Sequence, residues 1–176
     1  MSETVDLYGE DFLLWTQEQA KLLRNAAQHG VNLPFDWENV AEEIESLGRS
    51  DRRELRSRIA SIIEHLLKLE HSPVTEPREG WLDTVERSRQ EAENLLKESP
   101  TLRREASEIV ASAFEDFARI AVDGLIRRGE IDKRRRRELL AHPYTADQVL
   151  GQWAAGCLPD HNPQTKRAAR AALLQI

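Results

Sequence analysis

The chain has 176 residues, 40% of them hydrophobic and 32% charged, which suits one globular domain with a charge-rich surface and excludes a disordered polymer. No apolar run approaches the roughly 20 residues of a membrane-spanning helix, and Met1 to Asp6 carry no basic-then-apolar signal pattern. A single cysteine, Cys157, excludes an internal disulfide and a cysteine-based zinc site, so a cytoplasmic protein without membrane attachment is the expectation.

Net charge is −6, unevenly spread: residues 1–50 hold ten Asp/Glu against three Lys/Arg, whereas Arg127–Arg137 hold seven Lys/Arg against two Asp/Glu. Such asymmetry steers a charged partner or marks a solvated helix and its ion-pairing neighbours.

Apolar residues recur at three- and four-residue spacing with no strand-like alternation, which predicts an all-α fold. A first helix is expected from Asp6 to Gln28 with Tyr8, Phe12, Trp15, Gln19, Leu22, Leu23 and Ala26 on its inner face, ended by Gly30 and Pro34. Asp36 caps a second helix, Trp37–Leu47, whose face is Trp37, Val40, Ile44 and Leu47 and whose stop is Gly48. Ser50 caps a third, with Leu55, Ile59, Ile62, Ile63, Leu66 and Leu69 inward, closed by Pro73 and Pro77.

A fourth helix spans Trp81–Glu98 through Trp81, Val85, Ala92, Leu95 and Leu96. Ser99-Pro100 is an N-cap followed by proline at the first helical position, opening a fifth helix to about Arg128 through Leu102, Ile109, Val110, Ala113, Phe117, Ile120 and Ala121. After Gly129 the basic run starts a short helix ending near His142-Pro143. Thr145 to Gln148 forms a capping box before Val149, Leu150 and Trp153, and a last short helix is expected after Pro159. The pattern is a helical bundle of about five main helices with short appended C-terminal helices, residues 1–150 forming the bundle and 151–176 an extension.

Charged groups on apolar stripes are the candidate site residues, because an unpartnered buried charge is expensive. Arg89 falls within the fourth helix's stripe, Glu43 flanks the second's and His65 the third's, which suggests one shared polar cluster. Such a cluster either fixes helix register or makes Glu43 and His65 an acid–base pair with Arg89 holding an anion; the architectural reading carries more weight. No Glu-x-x-His or His-x-x-x-His spacing supports a metal site, and no cofactor is indicated. Lys133, Arg134, Arg135, Arg136 and Arg137 form a candidate nucleic-acid patch, weakened by the absence of interleaved aromatics. Nucleophilic chemistry has little support: no Gly-x-Ser-x-Gly elbow surrounds Ser46, Ser57 or Ser61, and Cys157 with His161 four residues on is not by itself a catalytic pair.

At Ala41-Glu-Glu-Ile-Glu-Ser-Leu-Gly48 and Glu64-His-Leu-Leu-Lys68 the chain resembles the bacterial, largely cyanobacterial family catalogued as domain of unknown function 29. Further matches are Asp11-Phe-Leu-Leu-Trp15, Trp81 with Arg87 and Arg89, Ser99-Pro-Thr-Leu102 and His142-Pro-Tyr-Thr145, in order over residues 6–150. The resemblance implies a helical domain of unassigned activity with Glu42, Glu43, Glu45, His65, Trp81 and Arg89 at motif positions. His142 stands where a cysteine is associated with the late motif, which removes a thiol role there.

The leading expectation is a non-enzymatic helical interaction module that binds and restrains a protein partner or self-associates. A small-molecule or metal-dependent enzyme built on Glu43, His65 and Arg89 is the second, and nucleic-acid binding through Lys133–Arg137 the third.

Overall fold

The computed structural model describes residues 6–29 and 33–151, and every regular element among them is a helix. In chain order these are α1 (Leu7–Glu10), α2 (Phe12–Gln28), α3 (Trp37–His71), α4 (Arg78–Glu98), α5 (Pro100–Arg127), a 3-10 turn at Lys133–Arg135, α6 (Arg136–Ala141) and α7 (Ala146–Leu150). The stop expected at Gly30, the roles of Trp153, Cys157 and His161, and the helix expected after Pro159 all lie outside the described residues.

Three caps fall where the side chains demand them. Asp36 accepts from the Asn39 backbone N–H at 3.2 Å, and Ser99 Oγ accepts from the Leu102 N–H at 3.2 Å. Thr145 and Gln148 form the reciprocal capping box that starts α7.

Two expected boundaries are corrected. The first helix is broken at Asp11, which leaves helical geometry (φ −152°) so that its carboxylate can accept from the Leu14 N–H and start α2. The second and third expected helices are one 35-residue helix, α3, which runs straight through Gly48. A Cβ at Gly48 would overlap Thr16 Oγ1 and lie 2.8 Å from Leu13 Cδ1. This glycine is there for close helix approach, not to end a helix.

Two compact units divide the chain. The first holds residues 1–55 and 94–106, the second 56–93 and 107–176. In the first, the buried positions of α2 and early α3 are Leu13, Thr16, Ala20, Ala41 and Gly48, mostly small, joined further on by Leu55, Leu96 and Leu102. Ala41, Gly48 and Leu55 recur every seven residues, two turns apart on one side of α3.

In the second unit the core is large and aliphatic. Ile59, Ile62, Ile63, Leu66 and Leu69 of α3 are buried as their spacing predicts, with Val85 and Ala92 of α4 and Val110, Val122 and Leu125 of α5. Ile120, placed inward by periodicity, is instead 63% exposed.

Candidate functional site

In the first unit the most constrained polar group is Asp11. Its carboxylate is buried and accepts from Ser99 Oγ at 2.9 Å, and from the Thr101 backbone N–H and hydroxyl, both at 2.8 Å. Together with the Leu14 N–H, these bonds make one carboxylate the N-terminal partner of both α2 and α5, where helix dipoles favour negative charge. Burial pushes the Asp11 pKa up. The hydrogen bonds from Thr101, Ser99 and the two backbone N–H groups outweigh it and hold the group below the usual carboxylate value.

Asp11 opens one of the motifs that carry the family resemblance but was not among the candidate site residues. The available signal was local: aspartate suits a cap better than a helix interior, and Leu14 follows at the capping distance.

Glu42 and Glu45 meet Arg24 of α2. The guanidinium reaches Glu38 at 3.0 Å, Glu45 at 2.9 Å and Glu42 at 3.6 Å, and Arg49 closes the set onto Glu42 and Glu45. Hydrogen bonds to Glu45, then Glu38, raise the Arg24 pKa. The five side chains are between 32% and 69% open to solvent, so the network orients α2 against α3 more than it stabilises the fold. Glu43, one position away, is exposed.

The same two helices carry an apolar face that the unit leaves uncovered. Leu22 is 57% exposed and Leu47 52%, while Phe12, Trp15, Val40 and Ile44 are half-buried, and Tyr8 of the preceding α1 is 61% exposed. These are the residues whose periodicity predicted the inward face, and this expectation is corrected. The small residues of each helix face inward because they permit close approach. The large apolar stripe lies roughly 100° further round α2 and roughly 60–70° further round α3. On it Phe12 and Trp15 stack at 5.7 Å, with Tyr8 edge-on to both.

In the second unit Arg89 does not hold a free carboxylate or an open anion site. Its Nε donates to the Val149 carbonyl at 2.9 Å and its Nη2 to the Gln148 carbonyl at 2.7 Å, closing the C-terminus of α7. Burial lowers its pKa. Gly151, at φ +72°, turns the chain away directly beside the Arg89 side chain. Arg78 does the equivalent for α3, donating to the Leu69 carbonyl at 2.7 Å and the Ser72 carbonyl at 3.3 Å.

His65 is half-buried, and its Nδ1–H donates to the Ser61 carbonyl one turn back at 2.8 Å. The cluster expected of Glu43, His65 and Arg89 is therefore corrected. Glu43 faces solvent, and His65 and Arg89 are each satisfied by backbone carbonyls. Among the described residues no three His, Cys, Asp or Glu side chains are grouped to hold a metal ion.

Trp81 is half-buried with Lys68 Nζ 5.9 Å from its ring centre, and Lys68 also pairs with Glu64 at 2.6 Å. Tyr144 donates to Glu70 at 2.8 Å and meets Phe114 edge-on. Burial first, then Glu70, pushes the Tyr144 hydroxyl far above its usual pKa. Next to it His71 is lowered, by burial before any charge. His142 is exposed, and its Nδ1–H donates to the Glu138 carbonyl at 3.0 Å.

The basic run is split. Lys133, Arg134 and Arg135 form the 3-10 turn capped by Asp132, and Arg136 makes a two-pronged pair with Asp123 at 2.6 and 3.1 Å. Lys133, Arg134, Arg135 and Arg137 are exposed. Between α3 and α5 of this unit lies an open groove of about 380 Å³, floored by Ala60, Ala121 and Gly124 and rimmed by Lys68, Arg127 and Arg128.

The family model described as Domain of unknown function DUF29 matches residues 7–154. No curated protein matches. The crystal structure of an alpha-helical protein of unknown function from Rhodospirillum rubrum is similar, with 27% identity and a TM-score of 0.60 over 82% of this chain and 89% of that one.

Proposed function

We propose, from the premise that this chain belongs to the DUF29 family, that it is a helical protein-interaction module whose contact surface is the apolar face of α2 and early α3. The observation that carries this reading is that face itself. Leu22 and Leu47 stand more than half exposed on stripes whose repeat is that of residues meant for burial. Isolated surface leucines need no explanation, but a contiguous apolar stripe on two adjacent helices does. The apolar positions are Phe12, Trp15, Leu22, Leu23 and Ala26 with the neutral Gln19 on one stripe, and Trp37, Val40, Ile44 and Leu47 on the other, with Glu43 at the edge of the second and Asp51 two turns beyond Ile44.

The enzymatic alternative has less to stand on. Arg89 spends its donors on the carbonyls of α7, which supports an architectural role for the motif. Binding and restraining a partner is the expected biological use of such a face.

A photo-crosslinking residue placed at Leu22 tests the reading in cells. It is expected to yield a covalent adduct with a second polypeptide, while the same group at exposed Arg53 yields none. Absence of any polypeptide adduct at Leu22 overturns the reading.

A further inference from the structure

We infer that the groove between α3 and α5 of the second unit receives a helix from another polypeptide, amphipathic and acidic in its first turn. The groove shares no residue with the α2–α3 face proposed above, so the two surfaces are tested separately.

The groove runs between parallel helices. Arg56 pairs with Asp116 near one end, and Ser72 bonds Glu130 beyond the other. Between them Ser57, Ala60 and Ser61 of α3 and Ala121 and Gly124 of α5 line a trough about three turns, or roughly 16 Å, long. Side chains this small leave room for the ridge of a third helix. Ile120, which periodicity places inward, is 63% exposed here, and Phe117 lines the same end. The apolar stripe of α5 is therefore wider than the core it serves.

Gly124 is the observation that asks for an occupant. It lies inside α5, where glycine is less stable than alanine, and its φ is not positive, so no left-handed turn requires it. Packing among the described residues does not require it either. Outside its own backbone neighbours, a Cβ built there comes within 4 Å of Arg128 Nη1 alone, at 3.4 Å, the end of a flexible side chain. Gly48 differs, because Thr16 and Leu13 crowd it. Gly48 makes room for a helix of the same chain. Gly124 makes the same room for a helix that the described residues do not supply.

Charge decides which helix. The lining carries Lys68, Arg127 and Arg128 against Glu64 alone. Arg127 is exposed, and Asp123, whose charge it feels, is already held by Arg136 in a two-pronged pair. The three cations stand at the C-terminal ends of α3 and α5, where backbone carbonyls add partial negative charge. A helix laid antiparallel to both brings its positive N-terminus to those ends, and Asp or Glu in its first turn to the cations. Large apolar residues at i, i+3 or i+4, and i+7 then fill the trough and cover Phe117 and Ile120. The chain's own residues 152–176 have the wrong charge, with Lys166, Arg167 and Arg170 against Asp160 alone.

The test displays a library of amphipathic helices of about fifteen residues, random in charge, to the full chain carrying Leu22→Glu and Leu47→Glu. Those two exposed positions take the α2–α3 face out of the selection. Retained peptides are expected to concentrate Asp and Glu in the first turn. Adding Gly124→Leu, which fills the trough, is expected to weaken their binding by about tenfold or more. Adding Arg127→Glu instead is expected to weaken it by about as much, and to favour the same peptides once their first-turn acids are changed to lysine. That reversal cannot come from misfolding. A photo-crosslinking residue at Ile120 is expected to label the bound peptide, and neither residues 152–176 nor a second copy of the chain. No retained peptide, acids concentrated in the last turn, binding indifferent to Gly124→Leu, or an adduct with the chain itself overturns the inference. The Leu22 photo-adduct bears only on the α2–α3 face.

Discussion

The two halves of α3 lead opposite structural lives. From Trp37 to Leu55 its buried positions are Ala41, Gly48 and Leu55, with Val40, Ile44 and Leu47 turned outward or half outward. From Ile59 to Leu69 its large aliphatic side chains are its buried ones. One helix therefore packs by approach in the first unit and by volume in the second. Small residues let backbones come near and gain dispersion contacts; large residues fill space at longer separation and remove more apolar area from water.

The sharpest way to break this contrast is to truncate the same residue class in each half. Ile62→Ala removes a fully buried side chain and is expected to cost about 2–5 kcal/mol in denaturant unfolding. Leu47→Ala is expected to stay within about 0.5 kcal/mol for the single copy, as befits an exposed position. Equal losses would mean that the outward stripe is already covered within one chain.

Asp11→Ala removes the partner of two helix starts and leaves buried donors unsatisfied, so a loss of about 2–4 kcal/mol is expected. The folded pKa of Asp11 lies below its unfolded value, so the carboxylate contributes stability above about pH 4, lost as pH falls through the folded value. Asp11→Asn should accordingly flatten the acid limb of a stability–pH curve. An unchanged limb would show that the carboxylate is not the group titrating there.

Gly48→Ala tests packing by approach. The new methyl group meets Thr16 and Leu13, and overpacking of this kind costs about 1–3 kcal/mol, partly offset by alanine's better helix propensity. Thr16→Ala in the same chain is expected to recover part of the loss, as non-additivity in thermal unfolding. Additive losses would place the strain elsewhere.

Arg89→Ala gives a modest global effect, about 1–2 kcal/mol, because it uncaps only α7. Its signature is local: amide exchange should rise across residues 145–151 while the aliphatic core stays protected. Uniform deprotection would contradict a role confined to α7.

The sequence made the helical class and the second-unit core legible because there the apolar period and the buried period coincide. It misplaced the inner faces of α2 and early α3 for a physical reason. Periodicity weighs side-chain size, whereas Thr16, Ala20, Ala41 and Gly48 are buried by virtue of being small. Gly48 reads as punctuation in a single sequence and functions as clearance in the fold. Arg89 was correctly picked out as unusual for its stripe, but its partners are backbone carbonyls, and no residue pattern announces those. Asp11 was legible only as the first residue of a motif, not as a clasp, because its partners Ser99 and Thr101 come from a distant stretch of chain.

That distance shapes how the protein assembles. The Asp11 carboxylate bonds residues 88 and 90 positions downstream. On a ribosome adding residues one at a time, α2 cannot acquire its anchor until the first turn of α5 has left the exit tunnel. Until then α2 is a nascent rod without its terminal clasp. Closing so long a loop carries an entropic cost before any contact rewards it, so fixing the start of α2 belongs among the late events of folding.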